Sequence, residues 1–201
     1  AEGKNLVGAF YQPRLVLIDP AVLQTLPDAT FADGMAEVVK YGYIANPTIL
    51  DMVSQPDYKA RIEDVIYECV KIKRDVVAID EHDTGLRMIL NFGHTVGHAA
   101  EKLGNYTELT HGQAVAIGMV AALRLGAMRG DPDLSAPLVS LLQKIGLPTE
   151  LTYDREAIYG ALLSDKKKFG GTVNFILVRE PGRAEITPIE AEALHDYILK
   201  L

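Results

Sequence analysis

The sequence predicts a mainly α-helical fold: a multi-helix domain with a small antiparallel β annex. Apolar residues recur at spacings of three and four along most of the chain, which is the helical period. An alternating β pattern appears near 172–187, where turn residues separate two short apolar runs. With 201 residues and 48% apolar content, the chain can bury a core as one domain, or as one domain with a small annex.

Charge, cysteine content and hydropathy exclude several classes of protein. The net charge is −7 and the longest basic run is Lys166–Lys168, so we expect no general nucleic-acid binding. Cys69 is the only cysteine, which excludes an intrachain disulfide and a cysteine-rich zinc module and fits a reducing cytoplasm. The longest apolar run, 114–123, is about half of the roughly 20 residues that span a bilayer, so we expect no membrane association.

The first elements run from a short strand into helices. Residues 15–18 are apolar and end at an Asp-Pro pair, which predicts a strand entering from a region that this chain lacks. Because the chain begins with alanine and a polar turn, we expect a fragment of a longer protein. The pattern Thr30-x-x-Asp33 resembles a capping box and predicts a helix to about residue 45, and Pro47 permits a second helix to about residue 53.

Two further helices flank an acidic loop. The apolar spacing predicts a long amphipathic helix over 58–79, which the acidic segment 80–85 ends. The next predicted helix runs from about residue 87 to residue 103 and ends at Gly104-Asn105. Four polar residues of this helix fall on one narrow arc: Arg87, Asn91, His94 and His98. Burying such a stripe without partners is costly, so it indicates a site rather than a solvated face.

The C-terminal half is predicted to contain the central helix and the hairpin. Thr110-x-x-Gln113 caps a helix to about residue 129 that is apolar nearly all round, which is typical of a fully buried helix. Further helices are predicted over about 131–145, 154–164 and 190–199, and strands over 172–178 and 184–186.

Three groups could meet a divalent metal: Glu37, His94 or His98, and His111. A set of two histidines and one carboxylate is a known catalytic zinc site. The segment His94-Thr-Val-Gly-His98 lacks the glutamate of the short metalloprotease motif, so peptide hydrolysis is disfavoured. The alternative is that each histidine is a hydrogen-bonded core residue, and the residues alone leave both readings open.

Charged residues suggest a polar cleft and a phosphate pocket. Glu37 and Lys40 form either an ordinary intrahelical ion pair or an isolated pair facing a cleft. His111 lies in the first turn of a helix, where the local field keeps imidazole neutral and free to ligate, or it merely begins that helix. Lys73, Arg87 and the 166–168 lysines could bind phosphate, although a solvated turn explains the lysine run equally well.

Five motifs, in order along the chain, resemble the 3-dehydroquinate synthase family. They are Gly3–Pro13 (GKNLVGAFYQP), Gly34–Gly42 (GMAEVVKYG), Asp80-Glu81 with Gly85-Leu-Arg87, Leu90–Ala99 (LNFGHTVGHA) and His111–Met119 (HGQAVAIGM). The resemblance is to the family's C-terminal helical domain, and the N-terminal nucleotide-binding domain is absent from this chain. We therefore predict a junction segment and strand over 1–19 and a metal- and substrate-binding domain over 20–201.

The resemblance implies an enzyme of the shikimate route that converts the sugar-acid phosphate DAHP into 3-dehydroquinate with loss of phosphate. The family uses NAD and a divalent metal, usually zinc, with cobalt as an alternative. This chain would supply the metal and substrate half, would need the missing NAD-binding domain as a partner, and would be inactive alone. The resemblance leaves a homodimer open. Competing interpretations are another sugar phosphate cyclase, a metal-dependent alcohol dehydrogenase, and a non-catalytic metal-binding helical fragment.

The resemblance also implies roles for individual residues. The metal ligands would be Glu37, His94 and His111, and His98 would handle protons. Further catalytic and substrate contacts would come from Lys40, Lys73, Arg87, Asn91, Asn5, Lys166 and Lys167. The residues of this chain that would contact NAD are Lys4, Val22, Leu23, Gln24 and Thr25.

Overall fold

The fold is taken from a computed structural model that describes residue 8 and residues 11–166 and 171–201, with only the backbone described at 164–166. Eight α-helices are described: α1 Asp28–Ile44, α2 Thr48–Ser54, α3 Ile62–Ile79, α4 His94–Leu103, α5 His111–Met128, α6 Ser135–Ile145, α7 Arg155–Lys166 and α8 Ala191–Leu199. Short 3-10 helices occupy Pro20–Thr25, Tyr58–Arg61 and Leu86–Asn91. None of the described helices has both the length and the apolar content that crossing a membrane would require.

The predicted β annex is an antiparallel hairpin of β1 (Thr172–Glu180) and β2 (Arg183–Glu190). β1 is buried on both faces, because Ile176 and Val178 join one hydrophobic cluster and Val173, Phe175 and Leu177 join the other. The hairpin is therefore part of the core. The prediction of a mainly α fold with a small antiparallel sheet is confirmed.

α5 is the central helix, as its sequence predicts. Thr110 and Gln113 form the predicted capping box at its N-terminus. Most of its residues are buried, and its sides face different clusters: Val115 and Met119 pack in the first, and Ile117 and Ala121 pack in the second. Because α5 contributes to both halves of the core, its N-terminal residue His111 is held in a defined position.

The single helix predicted over 87–103 is wrong. The segment is the 3-10 helix Leu86–Asn91 followed, after a break, by α4, and Gly93 at the break has a positive φ of 81°. A Cβ on Gly93 would lie 2.7 Å from the carbonyl oxygen of Val115, and a Cβ on Gly118 would lie 1.8 Å from the carbonyl oxygen of Gly93. The break lets α5 approach the backbone closely, a long-range contact that helical periodicity does not encode.

Two local predictions near the N-terminus are also wrong. Residues 15–18 form no strand in the described chain, and Leu17 is 86% exposed, because no described segment lies alongside to pair with their backbone. α1 begins at Asp28 after Pro27, without a side-chain cap, so Thr30-x-x-Asp33 does not open it. The Asp33 carboxylate instead accepts hydrogen bonds from Thr110 Oγ1 and, at 3.2 Å, from the Gln113 amide.

Candidate metal and substrate site

Three side chains from three helices converge at one point. Glu37 Oε1 lies 3.4 Å from His94 Nε2 and 3.6 Å from His111 Nε2. The three donor atoms all lie within 4.8 Å of one another, close enough to share one metal ion. The structure thus brings together the residues that the family resemblance assigns as ligands.

The meeting of α1 and α5 follows from the Asp33 contacts. Asp33 binds the first turn of α5, and Glu37 lies four residues later on the same face of α1. Glu37 is therefore held against the N-terminal residue of α5, which is His111. α4 is brought to the same place by its close packing on α5 through Gly93 and Gly118.

The imidazoles of both candidate ligands, His94 and His111, are oriented by contacts to their other nitrogen. His94 Nδ1 lies 3.1 Å from the carbonyl oxygen of Phe92, and His111 Nδ1 lies 3.3 Å from Glu101 Oε1. Since these partners accept hydrogen bonds, both contacts favour the tautomer that carries the proton on Nδ1 and leaves the Nε2 lone pair free. Burial, together with the charge of Lys40, lowers the pKa of His94 to about 4, so it is neutral and able to ligate at neutral pH.

Glu37 is ionised, and one of its oxygens lacks a hydrogen bond. Burial alone would raise its pKa, but the positive charge of Lys40 and the neighbouring His94 and His111 bring the net value below the ordinary one. Oε2 accepts from Lys40, whereas Oε1 is buried and has no hydrogen-bond partner among the described residues. Glu37 Oε1 faces Nε2 of both imidazoles. This arrangement fits a divalent cation, because one ion could be coordinated by the carboxylate oxygen and both ring nitrogens.

Lys40 is buried as well, with 3% of its surface exposed. Burial lowers the pKa of Lys40, and the charge of Lys73 on α3 lowers it further. The negative charge of Glu37 raises this pKa but does not reverse the net decrease. The structure therefore places Lys40 and Lys73 close enough to interact electrostatically beside the candidate metal site. The Glu37–Lys40 contact is an ion pair between residues three apart on α1, with the Lys40 side chain 4% exposed and that of Glu37 34% exposed. The pair is thus both intrahelical and partly buried, and neither residue is among those that line the cleft.

A cleft of about 610 Å³ opens next to these ligands. Asn91, His94 and His98 line one side, and Thr172, Asn174 and Ile176 of β1 lie among the other lining residues. The His98 side chain is 52% exposed, unlike that of His94 at 13%. A solute in the cleft would meet His98 and Asn91 directly.

The remaining predicted residues are placed as follows. Arg87 is not among the residues lining this cleft: its amide donates to Asp80, and its guanidinium donates to the carbonyl oxygen of Glu81. Val22–Thr25 lie in the 3-10 helix Pro20–Thr25, where Leu23 and Gln24 line a second cleft of about 500 Å³. Lys4, Asn5 and Lys167 fall outside the described residues, and Lys166 is described by its backbone alone.

Sequence reasoning missed Glu101 and Asp33, which hold the site together. Glu101 follows His98 by three residues, so both lie on one face of α4, and an acid one turn from a candidate histidine was the available signal. Asp33 was assigned to a cap of its own helix, whereas it binds α5 instead. No local pattern distinguishes those two uses.

Comparison with known proteins identifies the family. A family model described as 3-dehydroquinate synthase C-terminal matches residues 34–168, and another described as 3-dehydroquinate synthase N-terminal matches residues 1–33. The chain belongs to the 3-dehydroquinate synthase family. The resemblance to the family is thereby confirmed. The first of the five motifs, Gly3–Pro13, lies in the part that matches the N-terminal model, and the boundary between the two family models falls inside α1.

Relatives named 3-dehydroquinate synthase match most of the chain. One from Clostridium perfringens (strain SM101 / Type A) is 44% identical over 92% of this chain and 55% of its own length. Another from Crocosphaera subtropica is 46% identical over 92% of this chain and 54% of its own length. The chain spans about half the length of these relatives.

Solved structures support the same fold. A 2-deoxy-scyllo-inosose synthase complexed with carbaglucose-6-phosphate, NAD+ and Co2+ aligns with a TM-score of 0.76 at 28% identity, over 98% of this chain and 59% of that one. A 2-epi-5-epi-valiolone synthase from Streptomyces hygroscopicus with NAD+ and Zn2+ bound aligns with a TM-score of 0.81 at 23% identity, over 98% and 58%. This member of the 3-dehydroquinate synthase family thus shares its fold with sugar phosphate cyclases.

Proposed function

We propose that this chain supplies the metal- and substrate-binding half of an enzyme that converts DAHP into 3-dehydroquinate with loss of phosphate, using NAD and a divalent metal. The observation that carries the proposal is the convergence of Glu37, His94 and His111 within 4.8 Å beside an open cleft. Relatives at 40–46% identity that bear this enzyme's name support it. The 201 residues alone would not complete the reaction, because they span only about half of those relatives.

The metal would be held by Glu37, His94 and His111, with zinc or cobalt as the ion. When bound, it would act as a Lewis acid toward substrate hydroxyls. NAD, when bound, would accept and return a hydride, and Lys4 and Val22–Thr25 would contact it from this side.

His98 and Asn91 would contact the substrate ring. Both line the cleft, and the exposed His98 imidazole can take or give a proton on a cleft solute. Lys40 would contribute positive charge where an alkoxide develops, because it is buried next to Glu37 and only poorly screened by solvent.

Loss of phosphate needs cations that bind the leaving group. Lys73 lies close enough to Lys40 to interact with it electrostatically. Arg87, whose amide donates to Asp80, is assigned to the phosphate on the family resemblance alone. Asn5, Lys166 and Lys167 would complete the substrate contacts. Guanidinium and ammonium groups bind phosphate through charge-assisted hydrogen bonds, which explains the choice of residue types.

A metal titration tests the proposal. We expect the chain to take up one equivalent of Zn2+ or Co2+, and Glu37→Ala and His111→Ala to abolish stoichiometric uptake. The matched control is His195→Ala, since His195 on α8 pairs with Glu156 at 3.0 Å outside the ligand cluster. Absence of stoichiometric uptake by the unaltered chain would instead indicate a purely structural helical bundle.

A second candidate is another sugar phosphate cyclase, favoured by the 28% identity to 2-deoxy-scyllo-inosose synthase. Turnover of DAHP by the chain joined to an NAD-binding half separates the two candidates. A metal-loaded but non-catalytic fragment would take up metal and give no turnover in that assay. The cytoplasmic location suggested by the single Cys69 remains part of this proposal.

A further inference from the structure

Glu101 is a buried carboxylate that contacts the site without being one of its three ligands. It lies on α4, and its side chain is 5% exposed. Oε1 lies 3.3 Å from His111 Nδ1. Oε2 lies 3.9 Å from His98 Nε2, is buried, and has no hydrogen-bond partner within the described part of the chain.

The position of Glu101 determines which nitrogen of His111 faces the metal site. A carboxylate accepts a hydrogen bond, so its position at Nδ1 favours a ring with the proton on Nδ1 and the Nε2 lone pair toward Glu37. His94 achieves the same result with the neutral carbonyl oxygen of Phe92. His111 differs from His94 because its orienting partner carries a negative charge.

Burying a carboxylate is costly unless charge or hydrogen bonds compensate. The described partners of Glu101 in the site are the two imidazoles. A cation bound at His111 Nε2 would make the Nδ1 proton more positive and strengthen its hydrogen bond to Glu101. The carboxylate and the cation would therefore stabilise each other through the ring.

We propose that Glu101 is a positioning residue that holds His111 in the Nδ1–H form and increases metal affinity through that ring. The inference rests on the proposed function, since it assumes that His111 is a ligand. Glu101 is not one of the three residues whose donor atoms converge, and it would not contact the metal. It acts through His111.

The same residues also form a second triad that could in principle hold a cation. Donor atoms of His98, Glu101 and His111 lie within 4.8 Å of one another. In that triad the His111 contact to Glu101 is made by Nδ1, whereas Nε2 faces Glu37. One neutral imidazole has a single free lone pair, so His111 cannot ligate through both nitrogens, and the positioning role is the better fit.

The test compares Glu101→Met, which keeps length but removes the acceptor, with Glu101→Gln, which keeps an acceptor oxygen but removes the charge. Glu108→Gln is the matched control, because Glu108 accepts from the Tyr153 hydroxyl at 2.8 Å and contacts none of the ligands. Imidazole 15N NMR of the metal-free chain reports the tautomer, and Zn2+ or Co2+ titration reports affinity and stoichiometry. Metal-free thermal unfolding checks that each variant is folded.

We expect unaltered His111 to carry its proton on Nδ1, and Glu101→Met to lose that preference. Metal affinity should fall about 10–100-fold in Glu101→Met, less in Glu101→Gln, and not in Glu108→Gln.

Three results would overturn the inference: an Nε2–H tautomer of His111 in the unaltered chain, unchanged affinity in a folded Glu101→Met, or a second metal equivalent that Glu101→Met removes. Failure of the unaltered chain to bind metal would contradict the proposed function, whereas the tautomer measurement tests the Glu101–His111 contact independently.

Discussion

At the scale of single residues, Glu37 shows how one side chain organises a site. Its Oε2 accepts from Lys40 while Oε1 faces His94 and His111, so the two oxygens have different partners. The pair with Lys40 keeps the carboxylate ionised despite its burial. An ionised carboxylate beside the neutral His94 imidazole is the protonation state that metal binding requires.

The two histidines of α4 are expected to have different roles. His94→Ala should abolish stoichiometric metal uptake, because His94 Nε2 is one of the three converging donors. His98→Ala should keep metal and lose catalysis in the complete enzyme, because His98 lies in the cleft and is half exposed. Metal analysis after dialysis measures the first effect. Metal retained in His94→Ala and lost in His98→Ala would mean that the two imidazole roles are exchanged.

Asp80 gives a pH prediction at the same scale. Its carboxylate accepts hydrogen bonds from the amides of Arg87, Thr84 and Gly85, which lowers its pKa to about 2. A lowered pKa stabilises the fold above the unfolded value of about 3.9, and this contribution is lost as pH falls from about 4 toward 2.

Asp80→Asn should therefore be less stable than the unaltered chain near neutral pH, with the difference shrinking below about pH 4. Urea unfolding at several pH values measures this difference. A difference that does not depend on pH would contradict the assignment.

At the scale of elements, the packing of α4 on α5 assembles the site. Gly118 of α5 lies against the backbone of Gly93, and this contact determines where α4 begins and where His94 points. Asp33 fixes α1 to the start of α5 in the same way. The candidate metal site is therefore a consequence of two interhelical contacts.

Gly118→Ala tests the role of that packing. An added Cβ would lie 1.8 Å from the carbonyl oxygen of Gly93, so the helices must separate, and we expect the free energy of unfolding to fall by about 1–3 kcal/mol with weakened metal affinity. Gly160→Ala, at an exposed position of α7, is the control, since its Cβ would meet nothing within 4 Å and should raise stability by up to about 1 kcal/mol. Equal effects of the two substitutions in chemical denaturation would rule out the proposed packing constraint.

At the scale of the whole molecule, the chain carries the candidate metal site but spans only about half the length of its relatives. The described helices and hairpin enclose two hydrophobic clusters, with α5 and β1 contributing to both. The matched relatives are nearly twice as long as the aligned region, which covers 55% of the Clostridium perfringens protein. Metal binding is thus expected from these residues, and complete turnover is not.

We expect the 201 residues, supplied with DAHP, NAD and zinc, to release no phosphate above background. The physical reason is that the residues assigned to NAD in this chain, Lys4 and Val22–Thr25, would provide only some of the contacts that hold the cofactor. Phosphate release is the measurement, with the full-length Clostridium perfringens relative as the positive control. Measurable turnover with no other polypeptide present would contradict the proposal.

Much of the fold was predictable from local pattern. The helices α2, α3, α5 and α8 and the hairpin follow from periodicity and turn residues, and the Thr110 capping box was read correctly. The break at Gly93 was not predictable, because the apolar spacing continues through it. The strand at 15–18 was wrong because a strand requires a neighbour, and sequence pattern does not reveal whether one is present.

The sequence by itself determined the residue types available for chemistry, because donor groups and helical periods are properties of local sequence. Glu37, His94, His98 and His111 were identifiable as metal or proton groups before any contact was known. Only the tertiary structure decided that Glu37, His94 and His111 share one point, that Asp33 joins α1 to α5, and that Glu101 faces His111. These outcomes depend on contacts between residues distant in sequence or on side-chain direction, which packing alone establishes.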